Sequence, residues 1–166
     1  FSPKAGVISR AICHRAVPLI WKGICAAYCG YLNDDIYDDM AEGSVLAGIA
    51  IAQTGTAFPH PSGFSITLDY DVPHGYACSY FLPDLLELHQ QEFPKLVNTI
   101  LQLVGAETVL DFERRVRVLS PVLVSTTAEK ASAYAETAAK APHCRNTLVQ
   151  VDEAKLLEIF QKLFVD

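Results

Sequence analysis

GTAFPHPSGFSITLDYDVPHGYACSYFLP, residues 55–83, is the stretch on which the reading of this chain turns. It sets two histidines in turn-rich contexts and separates helix-like sequence on either side. His60 stands in Phe58-Pro59-His60-Pro61-Ser62-Gly63. A proline on each side disfavours carrying a helix through it, so its imidazole is expected on a shaped loop. His74 stands in Asp71-Val72-Pro73-His74-Gly75, where Pro73 suits the first turn of a new helix. An imidazole in a first turn meets the positive end of the helix dipole, which favours the neutral form whose lone pair a metal needs. Between the two, Ile66 to Val72 alternates weakly, as a short extended piece does, but is too isolated to support a sheet.

Upstream, Ser2-Pro3-Lys4-Ala5 reads as an N-cap followed by a first-turn proline, and Val7, Ile8, Ile12, Ala16, Leu19 and Ile20 recur at helical spacing. After a break at Gly30 to Asn33, Asp34 and Asp35 can cap a second helix. Its distal half, Gly43 to Ala52, is rich in small residues and reads as a buried helix that neighbours approach closely. Those glycines lie inside a helix, which excludes a phosphate loop. Downstream, a third helix carries His74, Ala77, Cys78 and Phe81, and Pro83 kinks or ends it. Apolar periodicity then predicts helices near Phe93 to Leu103, Glu107 to Leu119, Ala128 to Lys140 and Asp152 to Phe164, punctuated by Gly105, Ser120-Pro121 and Ala141-Pro142. The expected architecture is all-α, with about seven helices in one domain over residues 1–166.

Composition supports a core of good size: 51% of the 166 residues are hydrophobic. A net charge of −6 excludes a nucleic-acid partner, since the one basic cluster, Arg114, Arg115 and Arg117, reads as a solvated helix face. No uninterrupted apolar run has membrane-spanning length, so no membrane partner is expected and the protein is read as soluble and cytoplasmic. Five cysteines, Cys13, Cys25, Cys29, Cys78 and Cys144, lie within apolar helical sequence and suit a reducing compartment. Cys25 and Cys29 share a helical face and read as core. His14, His89 and His143 read as surface or capping imidazoles. No Gly-x-Ser-x-Gly elbow or His-Glu-x-x-His motif is present. Two histidines alone fall short of the three protein ligands of a stable catalytic metal site, so spacing leaves both the metal and the structural reading open.

Ala47-Gly48-Ile49-Ala50, Gly55-Thr56-Ala57, Pro59-His60-Pro61, Val72-Pro73-His74-Gly75 and Phe81-Leu82-Pro83, in this order and with thirteen residues between the histidines, resemble the helical C-terminal domain of the iron-containing (group III) alcohol dehydrogenases, a dehydroquinate synthase-like fold. The likeness extends more weakly over most of the chain, including the Cys144-Arg145-Asn146 turn. Related glycerol dehydrogenases space the corresponding histidines further apart, which favours the alcohol dehydrogenase branch. The resemblance implies a divalent metal, Fe2+ first and Zn2+ second, held by one aspartate and three histidines, of which His60 and His74 are two. The other two fall, in the family, on a helix just before the segment that Phe1 to Ala5 resembles. The nucleotide-binding domain, which carries most of the NAD(P) contacts, also lies upstream there.

On this reading the chain is the metal-binding half of a longer dehydrogenase and is inactive alone. The parent reaction is hydride transfer between an alcohol, or the corresponding aldehyde, and a nicotinamide, with the metal stabilising the alkoxide. Phe58 and Phe64 are candidate walls of an apolar substrate pocket and equally candidate core aromatics. Phe64 stands where many members have a further histidine, and Asn146-Thr147 where an Asn-Pro pair is common. The competing expectation is a helical interaction or dimerisation module that keeps the fold without the chemistry, a homo-oligomer using helix faces near Val116 or Leu156.

Overall fold

Pro59 and Pro61 do not hold His60 on a loop. They open a helix. The first N–H groups of any helix lack an intrahelical acceptor, so prolines there forfeit no hydrogen bond, and their fixed φ already suits the helix. In the computed structural model, which describes residues 1–122 and 124–165, α3 therefore spans Pro59–Tyr70. It runs on through the segment expected to be extended and stops only where Asp71 turns left-handed at φ 55°. The same logic applies at Pro83: α4 (His74–Ser79) closes before it, and α5 (Leu82–Gln90) begins with Pro83 in its first turn.

These two helices, α3 and α5, are the difference between the expected seven and the nine α-helices found among the described residues. The others are α1 (Val7–Tyr28), α2 (Asp34–Thr54), α6 (Pro94–Leu103), α7 (Val109–Leu119), α8 (Ala128–Lys140) and α9 (Glu153–Phe164), with a short 3-10 helix at Pro142–Arg145. No strand occurs among the described residues. None of these helices is long and apolar enough to cross a membrane.

Side-chain caps set several starts. Asn33, Thr108, Thr127 and Asp152 each accept a hydrogen bond from the backbone N–H three residues on, at 2.8–3.2 Å, a term of about 1 kcal/mol each. Asn33 thus takes the capping role expected of Asp34 and Asp35, which occupy the first turn instead. At the other end of the chain, α1 starts at Val7 rather than at Pro3, with Gly6 as its N-cap.

Two apolar cores share α5. Leu85 packs with Phe58, Ile66, Phe81, Leu156 and Phe160 between α3, α8 and α9. Leu86 packs with Val97, Leu101, Phe112 and Val116 of α6 and α7, against which Val17 and Trp21 of α1 rest. Successive residues of one amphipathic helix thus serve two neighbouring cores. Val116 and Leu156, near which self-association faces were expected, are themselves buried at 3% and 0% exposure, while on the exposed side of α7 Leu110 and Val118 stand 55% and 54% exposed.

The α1–α2 pair forms an antiparallel hairpin, clipped by Arg15–Glu42 and Lys22–Asp39 ion pairs at 2.7 and 2.6 Å. Exposed pairs of this kind contribute about 0–1 kcal/mol each. α2 is not the buried helix expected. Only Ile36, Gly43 and Ala50 are buried, while Val45, Ile49 and Ile51 stand 44–64% exposed. Its small-residue stretch serves one face, where Gly43 meets α1.

Two further expectations change. Cys29, at the end of α1, is exposed rather than core, and Cys25 is half-buried. His89 is fully buried rather than on the surface. The Leu85 carbonyl can only accept and the Val149 N–H can only donate, so Nδ1 carries the proton (2.8 Å to Leu85 O) and Nε2 accepts from Val149 N (3.2 Å). Burial holds this imidazole below the usual histidine range.

Candidate metal centre

Helical periodicity puts His60, Phe64 and Thr67 on one face of α3, and His74 and Cys78 on one face of α4. Where α3 and α4 meet, Gly63 permits contact: a Cβ there would lie 2.9 Å from Cys78 Sγ and 3.0 Å from the Cys78 backbone nitrogen. That approach brings the two imidazoles together, with His74 Nε2 3.0 Å from His60 Nδ1. At this distance one of the two ring nitrogens donates and the other accepts through its lone pair.

The surroundings act on the same pair. Burial holds His60 below the usual histidine range, and the neighbouring His74 and His143 rings push the same way. Phe64, on which His74 stacks with ring centroids 4.6 Å apart, also meets His60 edge-on at 4.8 Å. It is half-exposed, whereas Phe58 is wholly buried among core residues behind α3. Thr67 Oγ1 lies 3.4 Å from His74 Nδ1. Cys78 Sγ lies 3.4 Å from His74 Nε2, and burial pushes this thiol up to about 11. His60, His74 and Cys78 form a group of potential metal ligands whose donor atoms all lie within 4.8 Å of one another.

Three neighbours escaped the sequence reading. Cys78 follows His74 by four residues, a spacing that places it on the same helical face and could have been noticed. His143 comes from the distant 3-10 turn. It is exposed, as expected, yet its ring centroid is 5.7 Å from that of His60, and Thr56 Oγ1 lies 3.2 Å from its Nδ1. Asn146 donates through Nδ2 to the Thr54 and Thr56 carbonyls at 2.7 and 2.8 Å, and accepts from Ser2 Oγ at 2.8 Å. It pins the segment that leads into α3. On the far side of α3, Asp69 accepts from Tyr134, and from Lys130 of α8 at 3.1 Å.

An apolar cleft of about 800 Å3 runs between α1 and α5–α7, lined by residues such as Val17, Trp21, Leu86, Ile100 and Phe112. Among the described residues no His, Cys, Asp or Glu lines it. The potential metal ligands His60, His74 and Cys78 do not line this cleft.

Fold and site together describe an all-helical unit presenting a histidine pair, with a thiol beside it, at a close helix–helix contact. The family model "Fe-containing alcohol dehydrogenase family, C-terminal" matches residues 1–164, and the chain belongs to that family. It is similar in structure to an iron-containing alcohol dehydrogenase from Thermotoga maritima, at 27% identity and a TM-score of 0.85, over 98% of this chain and 44% of that one. A second iron-containing alcohol dehydrogenase matches at 27% identity and a TM-score of 0.84, over the same shares. Sulfoacetaldehyde reductase from Bifidobacterium kashiwanohense, solved with NAD+, shares the fold at 20% identity and a TM-score of 0.83, over 98% of this chain and 45% of that one. No curated protein matches the chain. The chain spans less than half the length of these structures.

Proposed function

We propose that this chain is the metal-binding helical domain of an NAD(P)-dependent alcohol dehydrogenase, in which His60 and His74 hold a divalent cation at the reaction centre. The observation that carries the reading is the 3.0 Å approach of His60 Nδ1 to His74 Nε2, in a chain whose family description is Fe-containing alcohol dehydrogenase. The residues fit the ion. Neutral imidazole nitrogens are good ligands of iron and zinc, and the ring that donates its proton yields it when a cation enters.

When bound, the cation supplies Lewis-acid polarisation of the substrate oxygen. The chain's own residues do the rest. α3 and α4 fix the two nitrogens before any ligand arrives. Phe64 presents an apolar, half-exposed ring beside them, suited to the carbon chain of an alcohol or aldehyde and to keeping water from the reacting carbon. Phe58 supports α3 from the core. Thr67 orients the His74 ring through Nδ1, the role outer neighbours play at metal sites. NAD(P) is assigned to a nucleotide-binding domain accounting for the length that the relatives have beyond this chain. Hydride transfer is therefore a property of the two domains together, and residues 1–166 alone are expected to show no turnover.

Metal uptake tests the reading. The protein, stripped and titrated with Fe2+ or Zn2+, is expected to bind the ion weakly, since two imidazoles leave most of the shell to water, and His60→Ala or His74→Ala to abolish that binding. If both variants hold metal as the wild type does, the ligand assignment is wrong and the non-catalytic interaction module takes its place.

A further inference from the structure

We propose that His143, held in place by Thr56, hydrogen-bonds the substrate through Nε2 and selects alcohols that carry a second hydroxyl close to the reacting carbon. The inference rests on the metal reading above and concerns the substrate, not the ion.

The His60 ring stands among three others. Phe64 meets it with centroids 4.8 Å apart, His74 at 4.9 Å and His143 at 5.7 Å, each edge-on. His74 is its partner at the cation. The other two are walls of different chemistry, since Phe64 is apolar and His143 offers a ring nitrogen.

His143 reaches the site from the 3-10 helix Pro142–Arg145, and that turn is clasped to the segment before α3. Asn146, at its end, donates through Nδ2 to the Thr54 and Thr56 carbonyls at 2.7 and 2.8 Å. Gly55, at φ 70°, leaves out a Cβ that would stand 3.1 Å from the same Nδ2. Thr56 Oγ1 then meets His143 Nδ1 at 3.2 Å. A ring held at one nitrogen by a residue whose backbone is itself pinned is oriented before any substrate arrives.

The second nitrogen, Nε2, has no hydrogen-bond partner among the described residues, and the side chain is exposed. Thr56 Oγ1 can donate to Nδ1 or accept from it, so Nε2 is a donor in one neutral tautomer and an acceptor in the other. A carbonyl oxygen meets only the donor form. A hydroxyl meets both, which makes it the group suited to this position. Neighbouring rings leave space for a short carbon chain, so the second hydroxyl falls one or two carbons from the reacting one, with the intervening carbons against Phe64.

Substrate preference tests this in the two-domain enzyme loaded with Zn2+. Two isosteric pairs serve, ethane-1,2-diol against 1-propanol and propane-1,3-diol against 1-butanol, in which a methyl replaces the second hydroxyl. His143→Phe, which keeps a ring and loses both nitrogens, is expected to lower the diol-to-alcohol ratio of kcat/KM by about 10-fold in at least one pair. His143→Gln, whose amide still donates and accepts, should restore part of the ratio, and Thr56→Val, which frees the ring, should lower it by a smaller factor. Binding gives a readout apart from turnover: in imidazole NMR the His143 Nε2 resonance should shift with the diol and stay in place with the alcohol. A ratio unchanged in His143→Phe, even where both rates fall, or a resonance that diol and alcohol move alike, overturns the His143 assignment and leaves the metal reading standing. A wild type that oxidises none of the four compounds, with metal binding unaffected by His60→Ala, overturns both. Should His143→Phe fail to fold, Thr56→Val and the wild-type resonance decide.

Discussion

Replacing Gly63 by alanine probes the contact that creates the site. The new Cβ would sit 2.9 Å from Cys78 Sγ, 3.0 Å from the Cys78 nitrogen and 3.2 Å from the Ala77 carbonyl carbon. Two of these three neighbours are backbone, which cannot rotate away as a side-chain tip can. Since comfortable contact begins near 3.4 Å, α4 must retreat by about 0.4 Å, in a core that resists such shifts. Overpacking of this kind costs about 1–3 kcal/mol, and alanine's better helix propensity offsets about 0.5–1 kcal/mol of it. The net loss is about 1–2 kcal/mol, or about 2–8 °C in Tm for a chain of this size. Because the same retreat carries His74 from His60, metal affinity should fall by about 10-fold or more. Gly48→Ala is the control. Gly48 lies in α2 with nothing within 4 Å of the added Cβ, and should gain about 0.4–1 kcal/mol. Urea or thermal denaturation, paired with metal dialysis, reads all of these. If Gly63→Ala is as stable as Gly48→Ala and holds metal normally, the close α3–α4 approach is not what builds the site.

Three further outcomes are expected. His89→Phe leaves the Val149 N–H without its acceptor and should cost about 1–3 kcal/mol. Because the folded value of His89 is lowered, the unfolded chain takes up the proton first. Its contribution to wild-type stability is therefore full above about pH 6.5 and is lost as pH falls through the lowered value, a slope that the phenylalanine variant lacks in Tm measurements from pH 8 to 5. Lys162→Met removes the ammonium that donates to buried Asp84 at 3.0 Å and should cost about 1–3 kcal/mol at neutral pH. Burial already raises the Asp84 carboxyl above its ordinary value, with Lys162 opposing. Protonation thus favours the fold as pH drops, and denaturation midpoints should show the Lys162→Met deficit shrinking towards acid. Asn146→Ala frees the segment before α3 and should cost about 1–3 kcal/mol, with cation affinity reduced by dialysis although no ligand is changed.

Helix class and most helix positions were legible in the sequence because apolar periodicity is local: α6 to α9 fall close to where spacing and punctuation put them. The prolines were read correctly as punctuation and wrongly as to which side. Pro59, Pro61 and Pro83 open helices rather than close them, because a missing N–H is harmless in a first turn. His60 and His74 stood out through their flanking prolines, and the family through the order of short motifs around them. Burial was harder to read. α2 looks as apolar as a core helix, yet only its contact with α1 covers it, and His89, flanked by glutamines, lies fully inside.

Residue type and local spacing determined that this is a helical chain with two unusual histidines, since helix formation and termination depend on neighbours within a turn or two. Only the tertiary structure decided that His60 Nδ1 meets His74 Nε2, that Cys78 joins them, and that His143 and Asn146 come from the far end of the chain to flank α3. Those contacts depend on how closely two helices pack, which Gly63 permits. Packing distance is a property of facing surfaces, and one-dimensional spacing carries no record of which surfaces face.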